Sequence, residues 1–191
     1  YGRDLLLAKL KHLEPLIAHR GASAYAPENT LAAFNETLAL GAKAFECDVR
    51  MNRDGELFIF HDERLNRTSN GRGMFIDTSS DILKSLDTGS WFSKRFSGEK
   101  MLTLHTLMSW LLTHDMWVNI ELKPNVGQVE TLTTVFLGGL NKMWHKDRAL
   151  PLVSSFNFDV LRLCARVMPE LPLGVLFKKW PENWRELAED I

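Results

Sequence analysis

Short apolar runs alternate with segments of helical periodicity along most of the chain. Leu16-Ile17-Ala18 leads into His19, and residues 30–40 follow with the spacing of a helix, with Asn29 at the expected N-cap and Gly41 just past the end. Residues 45–51 and 57–60 read as strands joined by the turn Asn52-Arg53-Asp54-Gly55, either as a hairpin or as two barrel strands with a short connection. Residues 63–101 read as an excursion rich in Gly, Ser and Asn, pinned down by Trp91, Phe92 and Phe96. Alternation then resumes with helix 104–114, strand 117–122, helix 126–143, strand 150–154, helix 158–167, strand 173–177 and a last helix from 184. Such alternation predicts an α/β fold with a parallel sheet, open or closed into a barrel.

Composition narrows the class. The 191 residues, 45% of them hydrophobic, fit one domain with a sizeable core. With 23 basic and 24 acidic residues the formal charge is −1, which favours neither nucleic acid nor an anionic membrane surface as partner. Cys47 and Cys164 form no CxxC and no zinc spacing, so they read as small buried hydrophobes of a reducing, cytoplasmic compartment. The longest uncharged stretch, 101–114 with histidine counted as neutral, is shorter than the ~20 residues of a spanning helix, so no transmembrane segment is predicted.

Side chains alternate faces along a strand, so Glu46 and Asp48 share one face and Cys47 and Val49 take the other. By the same parity Asn119, Glu121 and Lys123 lie together, opposite Val118, Ile120 and Leu122, while His61 shares a face with Leu57 and Ile59. Three strands thus turn charged groups one way at their C-terminal ends, where parallel α/β folds build their sites. An ExD spacing alone is most often a solvated face or an ion pair. Its apolar flanks, Phe45, Cys47 and Val49, favour a partnered, buried pair instead. Carboxylates that converge resist ionisation, and an all-oxygen set relieved by a cation suits Mg²⁺ or Ca²⁺ more than zinc. His19 and His61 can carry protons, and Arg20 and Lys123 offer charge to a phosphate or simply neutralise the carboxylates.

These pieces occur in an order that resembles the glycerophosphodiester phosphodiesterase family. They are His19-Arg20-Gly21-Ala22, Pro27-Glu28-Asn29-Thr30, Glu46-x-Asp48-Val49, Asp54-Gly55, His61-Asp62, Leu65-x-Arg67-Thr68, Gly89-Ser90-Trp91-Phe92, Glu121-Leu122-Lys123-Pro124 and Ser154-Ser155-Phe156. The similarity runs over roughly 16–180. It implies a TIM-type (β/α)8 barrel with 63–101 as a small insertion, metal ligands at Glu46, Asp48 and Glu121, acid/base histidines at His19 and His61, and phosphate contacts at Arg20 and Lys123. Glu28 is expected to hold the first loop in shape. The implied reaction is metal-dependent hydrolysis of a glycerophosphodiester to glycerol 3-phosphate and an alcohol. The alternatives are a phospholipase-type phosphodiesterase on lysolipids or phosphosphingolipids and a non-catalytic metal- or phosphate-binding barrel.

Two features depart from the family pattern. Met101-Leu102-Thr103-Leu104-His105 stands where the family usually has Ile-Pro-Thr-Leu-Glu, which is expected to alter a loop and spare the site. The sequence also stops at Ile191 inside a helical pattern. The resemblance therefore implies a barrel domain over 1–191 whose last strands lie outside this chain, and open sheet edges that would make the isolated chain unstable or self-associating.

Overall fold

The computed structural model describes residues 14–191. Its elements, in chain order, are α1 (Leu31–Ala39), β1 (Ala44–Met51), β2 (Leu57–Ile59), α2 (Ser80–Ser85), a 3-10 turn (Lys94–Phe96), α3 (Leu104–Thr113), β3 (Trp117–Leu122), α4 (Val129–Met143), β4 (Leu152–Ser155), α5 (Phe158–Val167), β5 (Leu173–Val175) and α6 (Trp184–Glu189). The strands form one sheet in the order β2-β1-β3-β4-β5. β1, β3, β4 and β5 run parallel, and β2 folds back antiparallel on β1. The 45–60 region is therefore a hairpin. Its strand β2 shares the outer edge of β1 with Ala18, which bridges to Phe45 in parallel.

All eight residues of β1 are buried. One of its faces packs Cys47, Val49 and Met51 with Val118, Ile120, Leu122, Leu57 and Ile59 against apolar helix faces that include Phe34, Leu107, Phe136, Leu140 and Val160. The other face carries Glu46, Asp48 and Arg50. The parallel register sets Asp48 beside Glu121 and Glu46 beside Asn119. Each helix start has a local cause. Thr103 caps α3 by accepting from the Thr106 amide at 3.0 Å, so the unusual 101–105 stretch keeps the one residue that the helix start requires. Asn157 caps α5 by accepting from the amides of Asp159 and Val160. α4 begins at Val129, three residues later than its apolar periodicity suggests, because Asn125 and Gln128 close a turn through both backbone and side chains.

The anchors of 63–101 differ from those expected. Phe75, Leu65, Leu83, Leu86 and Met101 form a second core with Phe58 and Phe60, on the face of the hairpin away from the main core. Phe75 stacks on Phe60 with ring centroids 5.3 Å apart and meets Phe58 edge-on at 6.1 Å. Trp91 is 40% exposed, and its indole donates to the Thr88 carbonyl. The Gly89-Ser90-Trp91-Phe92 motif is accounted for by its glycine, since a Cβ there would sit 2.0 Å from the Phe96 carbonyl oxygen. Phe75→Ala should therefore cost about 3–5 kcal/mol, as large aromatic truncations in cores do. Trp91→Ala should cost only about 1 kcal/mol, near the net worth of one hydrogen bond. Denaturant midpoints of the two variants check the order.

Candidate active site

The site lies on the polar face of two neighbouring strands, with Glu46 and Asp48 in the middle of β1 and Glu121 near the end of β3. Oxygens of Glu46, Asp48 and Glu121 all fall within 4.8 Å of one another, and the three residues are 7%, 0% and 7% exposed. Two cations face them. Lys123 donates to Glu121 Oε1 at 2.5 Å and lies 3.3 Å from Asp48 Oδ1. Arg20 Nε lies 3.4 Å from Asp48 Oδ2, and the Arg20 backbone amide donates to Glu46 Oε2 at 2.9 Å.

That amide reaches Glu46 because Arg20 adopts a left-handed backbone, φ 58°, followed by Gly21 at φ 78°. Gly21 is pressed onto α1. A Cβ there would be 2.8 Å from Ala33 Cβ and 2.9 Å from the Ala33 carbonyl carbon, so no other residue fits the turn without displacing the helix. A non-glycine residue held left-handed stores about 1–2 kcal/mol. Here the strain lies next to charged groups, where such strain is commonly found.

Asn29 does not cap α1. Thr30 does, accepting from the Ala33 amide, and this leaves Asn29 at φ 59° with its amide free to face the sheet. Asn29 donates to Asp48 Oδ2 at 2.8 Å and accepts from the Asp48 amide at 3.3 Å. Its part in the site was not foreseen, and the available signal was an asparagine, a residue type that tolerates positive φ, standing directly before a competent cap.

His19 Nε2 lies 3.8 Å from Glu46 Oε2. Partial burial, aided by the Arg20 charge, lowers the His19 pKa and favours the neutral ring. His61 reaches the site by a different route from the one strand parity suggests. β2 ends at Ile59, and Leu57 and Ile59 point into the main core, on the side away from the carboxylates. The chain turns out of the strand after Phe60, so His61 enters from the connecting segment. Its Nδ1 pairs with Asp62 Oδ1 at 2.6 Å, and its carbonyl accepts from the buried Arg50 at 2.7 Å. Of the seven expected site residues, six converge on the carboxylate cluster through direct contacts: His19, Arg20, Glu46, Asp48, Glu121 and Lys123. His61 joins it through Asp62, Arg67, Glu28 and Arg20.

The donor set fits a hard cation. Glu46 Oε1 is buried without a hydrogen-bond partner, Asp48 Oδ1 has only its ion pair with Lys123 at 3.3 Å, and the positive charge set against the three carboxylates comes from Arg20 and Lys123. Burial, reinforced by Asp48, pushes the Glu46 carboxyl up to about 8, and burial likewise raises Glu121. Cys47, facing the core, is raised well above the ordinary thiol range by burial and is inert.

Beyond the carboxylates, Ser155 donates to the Leu122 carbonyl at 2.7 Å and so fixes the end of β3. The ring of the half-exposed Phe156 lies 5.8 Å from Lys123 Nζ.

A sheet of parallel strands with helices between them, carrying a buried acidic cluster flanked by two cations, defines an α/β fold with a cluster that could hold a metal ion. The model of the glycerophosphoryl diester phosphodiesterase family matches residues 19–190, and the chain belongs to that family. A glycerophosphodiester phosphodiesterase of Caldanaerobacter subterraneus is 36% identical over 163 residues, covering 85% of this chain and 66% of that protein. The structure of an Oleispira antarctica phosphodiesterase in complex with the product sn-glycerol-3-phosphate superposes with a TM-score of 0.91 at 36% identity, covering 95% of this chain and 73% of that one. A Silicibacter pomeroyi structure at 22% identity and TM-score 0.79 shares the fold. The fold is TIM-barrel-like α/β. The chain spans 65% and 66% of the length of its curated Bacillus subtilis and Caldanaerobacter relatives. Among the described residues no helix is long and apolar enough to cross a membrane.

Two measurements probe the cluster. With the Glu46 pKa raised from 4.5 to about 8, the folded protein holds its proton more tightly than the unfolded chain does. The metal-free protein should therefore lose stability as pH rises from 4.5 to about 8 and level off above that. A saturating divalent cation should raise Tm more at pH 8 than at pH 5, because binding expels that proton; thermal melts with cation and with chelator test the sign. Asn29→Ala should weaken cation affinity by about 10–100-fold, the usual cost of losing a group that orients a ligand. Calorimetric titration of the variant measures it.

Proposed function

We propose that this protein hydrolyses a glycerophosphodiester to glycerol 3-phosphate and an alcohol. The observation that carries the reading is the cluster itself: three buried carboxylates, with Glu46 Oε1 unpartnered, set between Arg20 and Lys123 with His19 at 3.8 Å. Its likeness to the Oleispira phosphodiesterase, described with sn-glycerol-3-phosphate, supplies the substrate class.

A phosphodiester anion repels nucleophiles, and its alkoxide is a poor leaving group. Glu46, Asp48 and Glu121 would hold a divalent cation, Mg²⁺ or Ca²⁺, which supplies charge neutralisation at the phosphate. Arg20 and Lys123 bind the phosphate oxygens, and Arg20 is aimed by Glu28, which accepts from its Nη1 at 2.8 Å. One histidine takes the proton from the attacking oxygen, and the other gives a proton to the departing alkoxide oxygen as its bond to phosphorus breaks. Asp62 fixes His61 with hydrogen on Nδ1, so Nε2 is the atom it presents for proton transfer. The two buried free cysteines fit a reducing compartment, and we place the protein in the cytoplasm.

His19→Ala and His61→Ala should each lower kcat on glycerophosphocholine by about 10²–10⁴-fold. Their melting temperatures should stay near that of the parent, since both rings are partly exposed and belong to neither hydrophobic core. Release of glycerol 3-phosphate, with cation and after its removal, is the assay. Full turnover in either variant or in stripped protein would overturn the mechanism. Tight cation binding with no turnover across a panel of diesters would make this a binding barrel.

A further inference from the structure

The sequence motif Leu65-x-Arg67-Thr68 has no part in the chemistry above, yet its arginine makes the densest set of contacts near the site. Arg67 Nη1 and Nη2 donate to the two oxygens of Glu28, both at 2.8 Å. Its Nε and Nη2 donate to the two oxygens of Asp62, at 2.7 and 2.8 Å. The far side of each carboxylate leads to the site. Glu28 also accepts from Arg20 Nη1, and Asp62 pairs with His61 Nδ1. One planar guanidinium thus joins the loop carrying His19 and Arg20 to the segment carrying His61.

The placement of Arg67 is built in. Leu65, 1% exposed, is sunk in the second core. Ser69 closes a turn on the Leu65 carbonyl at 2.6 Å, and Arg64 bridges to Met74. The backbone on both sides of Arg67 is held, so its fork is pre-aimed. Glu28 and Asp62 face each other across this fork and would repel without it. Burial alone would raise Glu28, but the hydrogen bonds from Arg67 and Arg20 hold it low; the hydrogen bond from Arg67 is the main reason that Asp62 stays well below the usual carboxylate range.

We propose that Arg67 is a positioning residue that locks Glu28 and Asp62 together, so that Arg20 and the Nε2 of His61 address the same phosphate. The reading rests on the proposed role of His61 as a proton carrier. A lysine would keep the charge and lose the fork, because only a guanidinium can donate two parallel bonds to each of two carboxylates. The charged groups around His61 are Asp62, Arg67, Glu28, Arg50 and His19.

The test uses the full chain with Arg67→Lys and Arg67→Ala, read by ¹⁵N chemical shifts of His61 and by kcat and KM on glycerophosphocholine. In the parent, His61 should be a single tautomer with hydrogen on Nδ1, and in both variants a mixture. Activity in both should fall by about 10²-fold, mainly in kcat, as small misplacements of reacting groups do. Added guanidinium at a non-denaturing concentration should restore at least about ten-fold to Arg67→Ala and nothing to Arg67→Lys, in keeping with a lost planar fork rather than a lost charge. His61 remaining wholly Nδ1-protonated in Arg67→Lys, or turnover in that variant within about three-fold of the parent, would overturn the proposal. If the parent itself turns over no diester, the reading of the site fails, and the His61 tautomer in the variants still decides whether the clamp exists.

Discussion

Crowding of negative charge is the constraint on which the rest of this structure depends. Glu46, Asp48 and Glu121 bring oxygens within 4.8 Å of one another on the buried polar face of two adjacent strands. At such spacing each like-charged pair costs about 4 kcal/mol even with an effective dielectric near 20. The arrangement survives because its surroundings are tailored to it. Lys123 stands two residues beyond Glu121 on the same face, Arg20 reaches in from the first loop, and Asn29 clamps Asp48 from above. Even the left-handed backbone at Arg20 belongs to this set, because it turns a main-chain N–H onto Glu46. With two cations against three carboxylates, the cluster as built has room for further positive charge.

The sheet supplies the rigidity that such a cluster demands. β1 is buried along its whole length, and its parallel register with β3 places Asp48 beside Glu121 with no dependence on side-chain choice. A slip of one residue would turn the carboxylates into the apolar helix layer and Cys47 into the pocket, so the hydrophobic face and the acidic face enforce each other. The second core works on the other side of the hairpin. It fastens 63–101 beside the site through Phe75, Leu65 and Leu83, and so brings Thr68, Thr88 and Met101 against the cleft that Glu28 and His61 line.

Much of this was legible in the residue order. The bounds of β3 and α5 follow from periodicity alone, and the side-by-side placement of Glu46, Asp48 and Glu121 follows from strand parity once the strands are taken as parallel neighbours. Parity failed at His61 because it assumes that a strand continues, whereas β2 stops at Ile59 and its last residues face the core. The N-cap of α1 was misplaced by one residue because Asn and Thr are both good caps. Here a tertiary hydrogen bond to Asp48 claims the asparagine. The anchors of 63–101 differ from Trp91, Phe92 and Phe96 because burial is decided by what the hairpin offers: Phe58 and Phe60 present rings to Phe75, and Trp91 is left at the surface.

The difference between strand and loop divides the site in two. The three carboxylates sit on strands, where backbone geometry fixes position and a two-residue period is enough to read it. The two histidines sit on loops, where the two-residue period no longer applies and position is set by side-chain hydrogen bonds, several of them between residues far apart in sequence. Arg67 and Glu28 are 39 residues apart, and Asn29 and Asp48 are 19 apart. No local pattern encodes such pairs. The division also suits the proposed chemistry, because charge must be held still at a fixed point while a proton carrier needs a chosen tautomer and a chosen direction. A buried strand meets the first need. The second is met by a carboxylate that pairs with the histidine and is itself held by an arginine, which is the arrangement around His61.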